Sequence, residues 1–263
     1  MEIPFVRWFP VIATRRSRRK YDPAPPIPIE TLDGLQKVCA EFKPFPDARA
    51  ALITDHAEKA FKFILGSYGT IVGAKIAIAF IGNINNRHIP EEIGYFGEGI
   101  VLEAGALGLS TCWMTGTFSP KGIGELVTIK NDEKVFAVTP VGIPSESKSL
   151  TEGFLSGFGR SHQRKPLSAM FTGIAENEWP EWFKPALESA RLAPSAMNRQ
   201  PWHFILESHS ITISAPKSKV DKYSSTRLDC GITMLHLEVA ALNQGIKGRW
   251  ELLEAPLVAR FKF

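Results

Sequence analysis

Two stretches far apart in this chain end alike. "EAGALGLSTCW" (Glu103–Trp113) is matched by "AALNQGIKGRW" (Ala240–Trp250). Each closes a segment with helical spacing. Each has a glycine where the helix stops, Gly108 and Gly245, and a tryptophan five residues later, Trp113 and Trp250. Glycine there supplies the left-handed backbone that closes a helix. The repeat implies two related halves, each organised about one long helix.

The surrounding pattern gives the remaining elements. After the proline-rich entry Pro23–Pro28, Thr31 or Asp33 caps a helix running to Phe42. Periodicity then predicts a strand over 48–55, a helix over 58–70, a strand over 71–82 and the first long helix over 91–109. A short helix over 121–129 and a strand over 134–144 complete the first half. The second half repeats the order in shorter form: a helix over 179–192, strands over 203–208 and 211–216, and the second long helix over 229–246. Residues 145–174, rich in Ser and Gly, connect the two.

Composition bounds the function classes. The 263 residues are 44% hydrophobic and 22% charged, enough for one large domain or two small ones. Cys39, Cys112 and Cys230 are odd in number and widely spaced, which argues against a disulfide framework and for a reducing, cytoplasmic compartment. No CxxC or HxxxH spacing points to a metal. The first residues have no signal-peptide pattern, and the apolar run Ile71–Gly82 carries Lys75 and is too short to span a bilayer. No membrane partner is expected. The net charge is only +4, but Arg15, Arg16, Arg18, Arg19 and Lys20 are clustered, and "RSHQRKP" (Arg160–Pro166) forms a second basic spot. Such clusters are ordinarily a solvated surface or a nucleic-acid patch. Alternatively, the two are parts of one anion site. A nucleic-acid partner is disfavoured by the acidic residues spread through the chain.

Three motifs carry a resemblance. They are "RRSRRKYD" (Arg15–Asp22), "GALGLSTCWMTG" (Gly105–Gly116) followed by "PVGIPSE" and "RKP", and "APSAMNRQPW" (Ala193–Trp202). Together the set resembles the FMN-dependent nitroreductase family, with its Arg-x-Ser-x-Arg/Lys opening and its Pro-Ser-x-x-Asn-x-Gln-Pro-Trp turn. Ordinary members are homodimers with each flavin between subunits, one subunit supplying the Arg-Ser motif and the other the turn. Here the first half has the Arg-Ser motif, but "CAEFKPFPDARAALI" stands where its turn belongs. The second half has the turn, but "MFTGIAENEWPEWF" stands where its Arg-Ser motif belongs. Each half lacks what the other keeps. The resemblance therefore implies an α+β, nitroreductase-like fold. Its two half-domains, 1–166 and 167–263, form an intramolecular pseudo-dimer around mixed or antiparallel sheets. Together they make one flavin-binding unit for which a monomer suffices.

The resemblance also implies roles. Arg15 and Ser17 bind the FMN phosphate, with Arg164 and Lys165 closing on it and Arg16 counted in the same cluster. Arg19 lies at the pyrimidine edge of the ring, where a cation stabilises the reduced flavin. Backbone N–H groups of Thr115 and Gly116 face the ring N5 and O4, and Gly69 approaches the ring. Pro194 ends the preceding helix, so that Ser195 and Asn198 aim across the seam at the ribityl chain and ring edge. Gln200 and Pro201 start a strand, and Trp202 packs behind the turn. An ordinary polar turn would instead use Ser195 and Asn198 on its own backbone. Trp113 is read as core filler. The histidines at 56, 88, 162, 203, 209 and 236 are scattered and read as structural or exposed, so the flavin carries the chemistry and no side chain is assigned as catalytic. The expected reaction passes hydride from NAD(P)H through FMN to a nitroaromatic, quinone or similar small-molecule acceptor. The alternative is a non-catalytic FMN-binding module for storage or redox sensing.

Overall fold

The structure is a computed structural model. It describes residues 1–61, 70–145, 163–216 and 226–263. Six helices carry the described fold: α1 (Phe5–Thr14), α2 (Ile29–Glu41), α3 (Ile89–Ala106), α4 (Pro120–Gly124), α5 (Phe183–Arg191) and α6 (Thr226–Asn243). The strands are β1 (Tyr21–Asp22), β2 (Ala48–Ile53), β3 (Ile76–Asn83), β4 (Ser110–Thr111), β5 (Glu133–Pro144), β6 (Phe171–Gly173), β7 (His203–Glu207), β8 (Ser210–Ser214), β9 (Arg249–Leu252) and β10 (Leu257–Lys262).

They form two sheets, one in each half. The first runs β1-β5-β3-β2, with β4 also on β5, and all its pairs are antiparallel. The second runs β6-β7-β8-β10-β9, antiparallel except for the parallel pair β6–β7. In β3, Ile76 to Gly82 are all buried, because β2 and β5 flank the strand and both of its faces are covered. That explains a continuous apolar run rather than an alternating one. One face of the first sheet packs on α3; the other covers a smaller core of Tyr21, Ile53, Phe61, Met114, Ile123 and Val138.

The two long helices pack on each other at the centre of the molecule. Both are buried almost all round, so neither shows a single apolar stripe. Their crossing is reciprocal. A Cβ on Gly94 would lie 2.1 Å from the carbonyl oxygen of Leu228, and one on Gly231 would lie 2.0 Å from that of Glu91. Each glycine meets the residue three before its counterpart. The same sequence interval separates Gly94 from Gly231, Gly108 from Gly245 and Trp113 from Trp250. The repeat read from helix ends thus extends to an isologous contact of the kind that symmetric dimers make. Gly108 (φ 80°) and Gly245 (φ 78°) take the left-handed conformation expected of them.

Several boundaries differ from expectation. Helix α2 starts at Ile29 after Pro28, ahead of Thr31 and Asp33, with no side-chain cap. Of the helix expected over 58–70, a 3₁₀ turn at Ala57–Phe61 is described and 62–69 lie outside the described residues. Strand β3 starts at Ile76, not Ile71, because Val72 is occupied in bonding to Arg19 and Tyr21. Helix α4 stops at Gly124, and α5 starts at Phe183. Helix α1 was not anticipated. It buries Trp8, Val11 and Ile12 and packs on both α3 and α6, tying the start of the chain to both halves.

Candidate functional site

Helix α1 ends at Thr14, and its C-cap is Arg15, whose N–H donates to Val11 O at 2.8 Å. The chain then runs extended. Ser17 pairs with Thr111 in parallel, and Arg18 N–H donates to Thr111 O at 2.9 Å. Val72 N–H donates to Arg19 O at 2.9 Å. The first and second motifs are therefore neighbours in space. Ser17 also hydrogen-bonds the Cys112 thiol, which burial pushes up against the pull of Arg19 and Arg15.

The Arg15 side chain is 7% exposed. Its Nε lies 3.7 Å from Oε1 of the buried Glu98. Neither its Nε nor its Nη1 has a hydrogen-bond acceptor among the described residues. Arg164 stands close by. Burial first, then the charges of Arg15, Arg16 and Arg191, hold Arg164 down to about 10. It remains cationic at neutral pH. Arg16 is exposed and folds back on the end of α1, donating to Ala13 O at 2.9 Å and Arg15 O at 2.7 Å. Arg191 pairs with Glu188. Several guanidiniums from distant segments thus share one region, a concentration of positive charge that favours an anion.

The third motif touches this cluster. Arg164 donates from Nη1 to Asn198 Oδ1 at 2.9 Å and from Nη2 to Leu192 O at 3.1 Å. Lys165 N–H donates to Gln200 Oε1 at 2.8 Å, and its ammonium to Gln200 O at 3.0 Å. The turn is wound tightly. Met197 (φ 54°), Asn198 (φ 52°) and Gln200 (φ 48°) are all left-handed without being glycine. Conformations of this kind persist only where the surroundings over-determine them. Buried Asp229 at the start of α6 supplies part of that restraint, accepting from Ala196 N–H at 3.1 Å and Arg199 Nη2 at 3.3 Å.

The structure refines the expected roles. Ser195 Oγ accepts from Gln200 N–H at 2.9 Å, so this oxygen serves its own turn. Asn198 carries Arg164 and donates to Gln163 O at 2.8 Å. Gln200 does not begin a strand; it is left-handed, and β7 begins at His203. Pro194 is buried just after α5, and Trp202 is buried behind the turn as expected. Trp113 stacks on Phe80 at 4.8 Å, but its indole N–H also donates to Glu98 at 2.6 Å. Thr115 is half-buried and Gly116 exposed in the loop that follows. Gly69 and Arg160–His162 lie outside the described residues. Sequence reasoning missed Glu98, Asp229 and Arg191. A lone carboxylate inside the apolar stretch Ile93–Leu102 was the available signal for Glu98.

The family described as "Putative TM nitroreductase" matches residues 8–241. The chain belongs to this nitroreductase family, and it is an oxidoreductase. A putative nitroreductase from Thermotoga maritima is 20% identical, with a TM-score of 0.65, and the match covers 97% of this chain and 93% of that one. At that identity the likeness is one of fold, and it extends over both halves. A nitroreductase family protein from Clostridium novyi NT (19% identity, TM-score 0.45) matches over 59% of this chain and 92% of its own. A nitroreductase with bound FMN from Bacteroides fragilis (18% identity, TM-score 0.44) matches over 54% and 91%. No curated protein matches the chain. No helix of this nitroreductase-family chain, among the described residues, is long and apolar enough to cross a membrane.

Proposed function

We propose that this nitroreductase-family chain binds FMN between its halves, 1–166 and 167–263. On this reading it passes hydride from NAD(P)H to a nitroaromatic, quinone or similar small acceptor. The observation that carries the reading is the Arg15 guanidinium. It is buried beside Arg164 and keeps two N–H groups without acceptors among the described residues. Buried donors of this kind are costly unless a ligand satisfies them. A phosphate dianion fits both the charge and the donor geometry.

When FMN is bound, its ring supplies the hydride chemistry. The protein's part is binding, orientation and electrostatics. Arg15 and Arg164 hold the phosphate, with Ser17 and Lys165 beside it and Arg16 adding to the field. Asn198 orients Arg164 through the 2.9 Å bond, so the second half aims a cation at a ligand gripped by the first. Ser195 accepts from Gln200 and keeps its own O–H to donate outward. Arg19 provides positive charge at the ring edge, and the backbone of Thr115 and Gly116 provides N–H donors. Pro194 shapes the approach. Three free, buried cysteines suit a reducing compartment such as the cytoplasm.

The test is reduction of the purified flavoprotein under anaerobic conditions. NADH or NADPH is expected to bleach the flavin absorbance, and a nitroaromatic or quinone to restore it. Bleaching by dithionite alone would leave a storage or sensing module, and release of FAD or of no flavin on heating would sink the FMN assignment.

A further inference from the structure

Glu98 sits in the middle of α3, fully buried, and has no part in the reading above. Its Oε2 accepts the Trp113 indole N–H at 2.6 Å. Its Oε1 lies 2.9 Å from Nε2 of His236 and 3.7 Å from Nε of Arg15. His236, on α6, is also fully buried, and its Nδ1 lies 3.1 Å from the Ser189 carbonyl oxygen in α5. One carboxylate and one imidazole therefore touch Arg15 of the first motif and Trp113 of the second. They also touch the helix that leads into the third.

Hydrogen-bond chemistry fixes the protons of this pair. A backbone carbonyl only accepts, so His236 carries a hydrogen on Nδ1. At 2.9 Å a bare Nε2 and a bare carboxylate oxygen would oppose their lone pairs, so one proton lies between them. On either atom, Glu98 and His236 together sum to zero charge. A lone Glu98 anion would instead cancel Arg15. We propose that Glu98 and His236 are a positioning pair for the anion site. They hold Arg15, Trp113 and α5 in register and leave the positive charge of Arg15 to the ligand's phosphate. This rests on the FMN reading.

Titration of the apoprotein with FMN, and with riboflavin as the phosphate-free probe, tests it. His236→Gln leaves Glu98 as an anion beside Arg15. FMN binding is expected to weaken roughly tenfold, as when a charge-assisted hydrogen bond is impaired, while riboflavin binding does not move. Adding Glu98→Gln to the same chain removes that anion and is expected to restore most of the lost FMN affinity. A double variant worse than the single, or equal losses for FMN and riboflavin, would mark a merely structural pair and overturn the proposal. Imidazole ¹H–¹⁵N NMR of the wild-type protein gives an arm that survives misfolded variants. Nδ1 should be protonated, with a strongly deshielded proton toward Glu98. A ring whose only hydrogen is on Nε2 overturns the pair. If wild-type protein binds no FMN, the flavin reading fails while the NMR pattern still decides the proton's place.

Discussion

At Arg15 three demands meet in one side chain: burial, a carboxylate at 3.7 Å and two donors without acceptors among the described residues. Arg164 adds a second guanidinium whose charge is opposed by burial and by its cationic neighbours. An anion relieves both. Arg15→Ala and Arg164→Ala are each expected to weaken FMN binding by about 1.5–3 kcal/mol, or roughly 10- to 150-fold, in a flavin titration of the apoprotein. Unchanged binding in both variants would exclude these residues from the phosphate site. The residue types of the candidate site were legible in the sequence because the proposed phosphate recognition would need guanidiniums and hydroxyls. Their partners were not. Ser195 proved to accept from Gln200, because local bonds compete with any role read from a motif, and Glu98 proved to receive Trp113 across a tertiary contact that no motif records.

At the scale of elements, the long helices were the most legible, since each is a sustained apolar segment closed by glycine. Helix α1 was hidden by Pro10, and packing on α3 and α6 decides its state. The closing strands β9 and β10 were also missed. They pair only within a sheet assembled from distant segments, so tertiary context outweighs local pattern there. The crossing of α3 and α6 yields a sharper expectation. Gly94→Ala and Gly231→Ala each place a methyl against a backbone carbonyl that cannot turn aside. Each is expected to cost about 1–3 kcal/mol and to lower Tm by several degrees in a thermal melt. An unchanged melt would show that the helices do not approach so closely. Loss of FMN binding alongside stability is also expected, because the crossing sets the spacing between Glu98 and His236.

At the scale of the molecule, the two halves are related but unequal. In the second half, residues 192–202 connect α5 to β7 and carry the strained polar turn. In the first, residues 42–47 connect α2 to β2 in about half the length. There Phe42 is buried, edge-on to Trp8 at 5.2 Å and stacked at 6.4 Å on Tyr95, which Phe45 meets at 5.4 Å. Aromatic rings thus occupy the place where a second polar turn would stand. On the other side of the missing pairing, the second half offers Glu176 and Glu178 rather than an Arg-Ser motif, and Glu176 already pairs with Lys184 at 3.0 Å. A phosphate buried there without cations would be strongly disfavoured. The central claim is therefore one complete cofactor site built by a single chain. Flavin absorbance against protein concentration, read together with the mass from light scattering, tests it most directly. One FMN per chain in a monomer is expected; two per chain, or a flavin held only while two chains stay together, would contradict it.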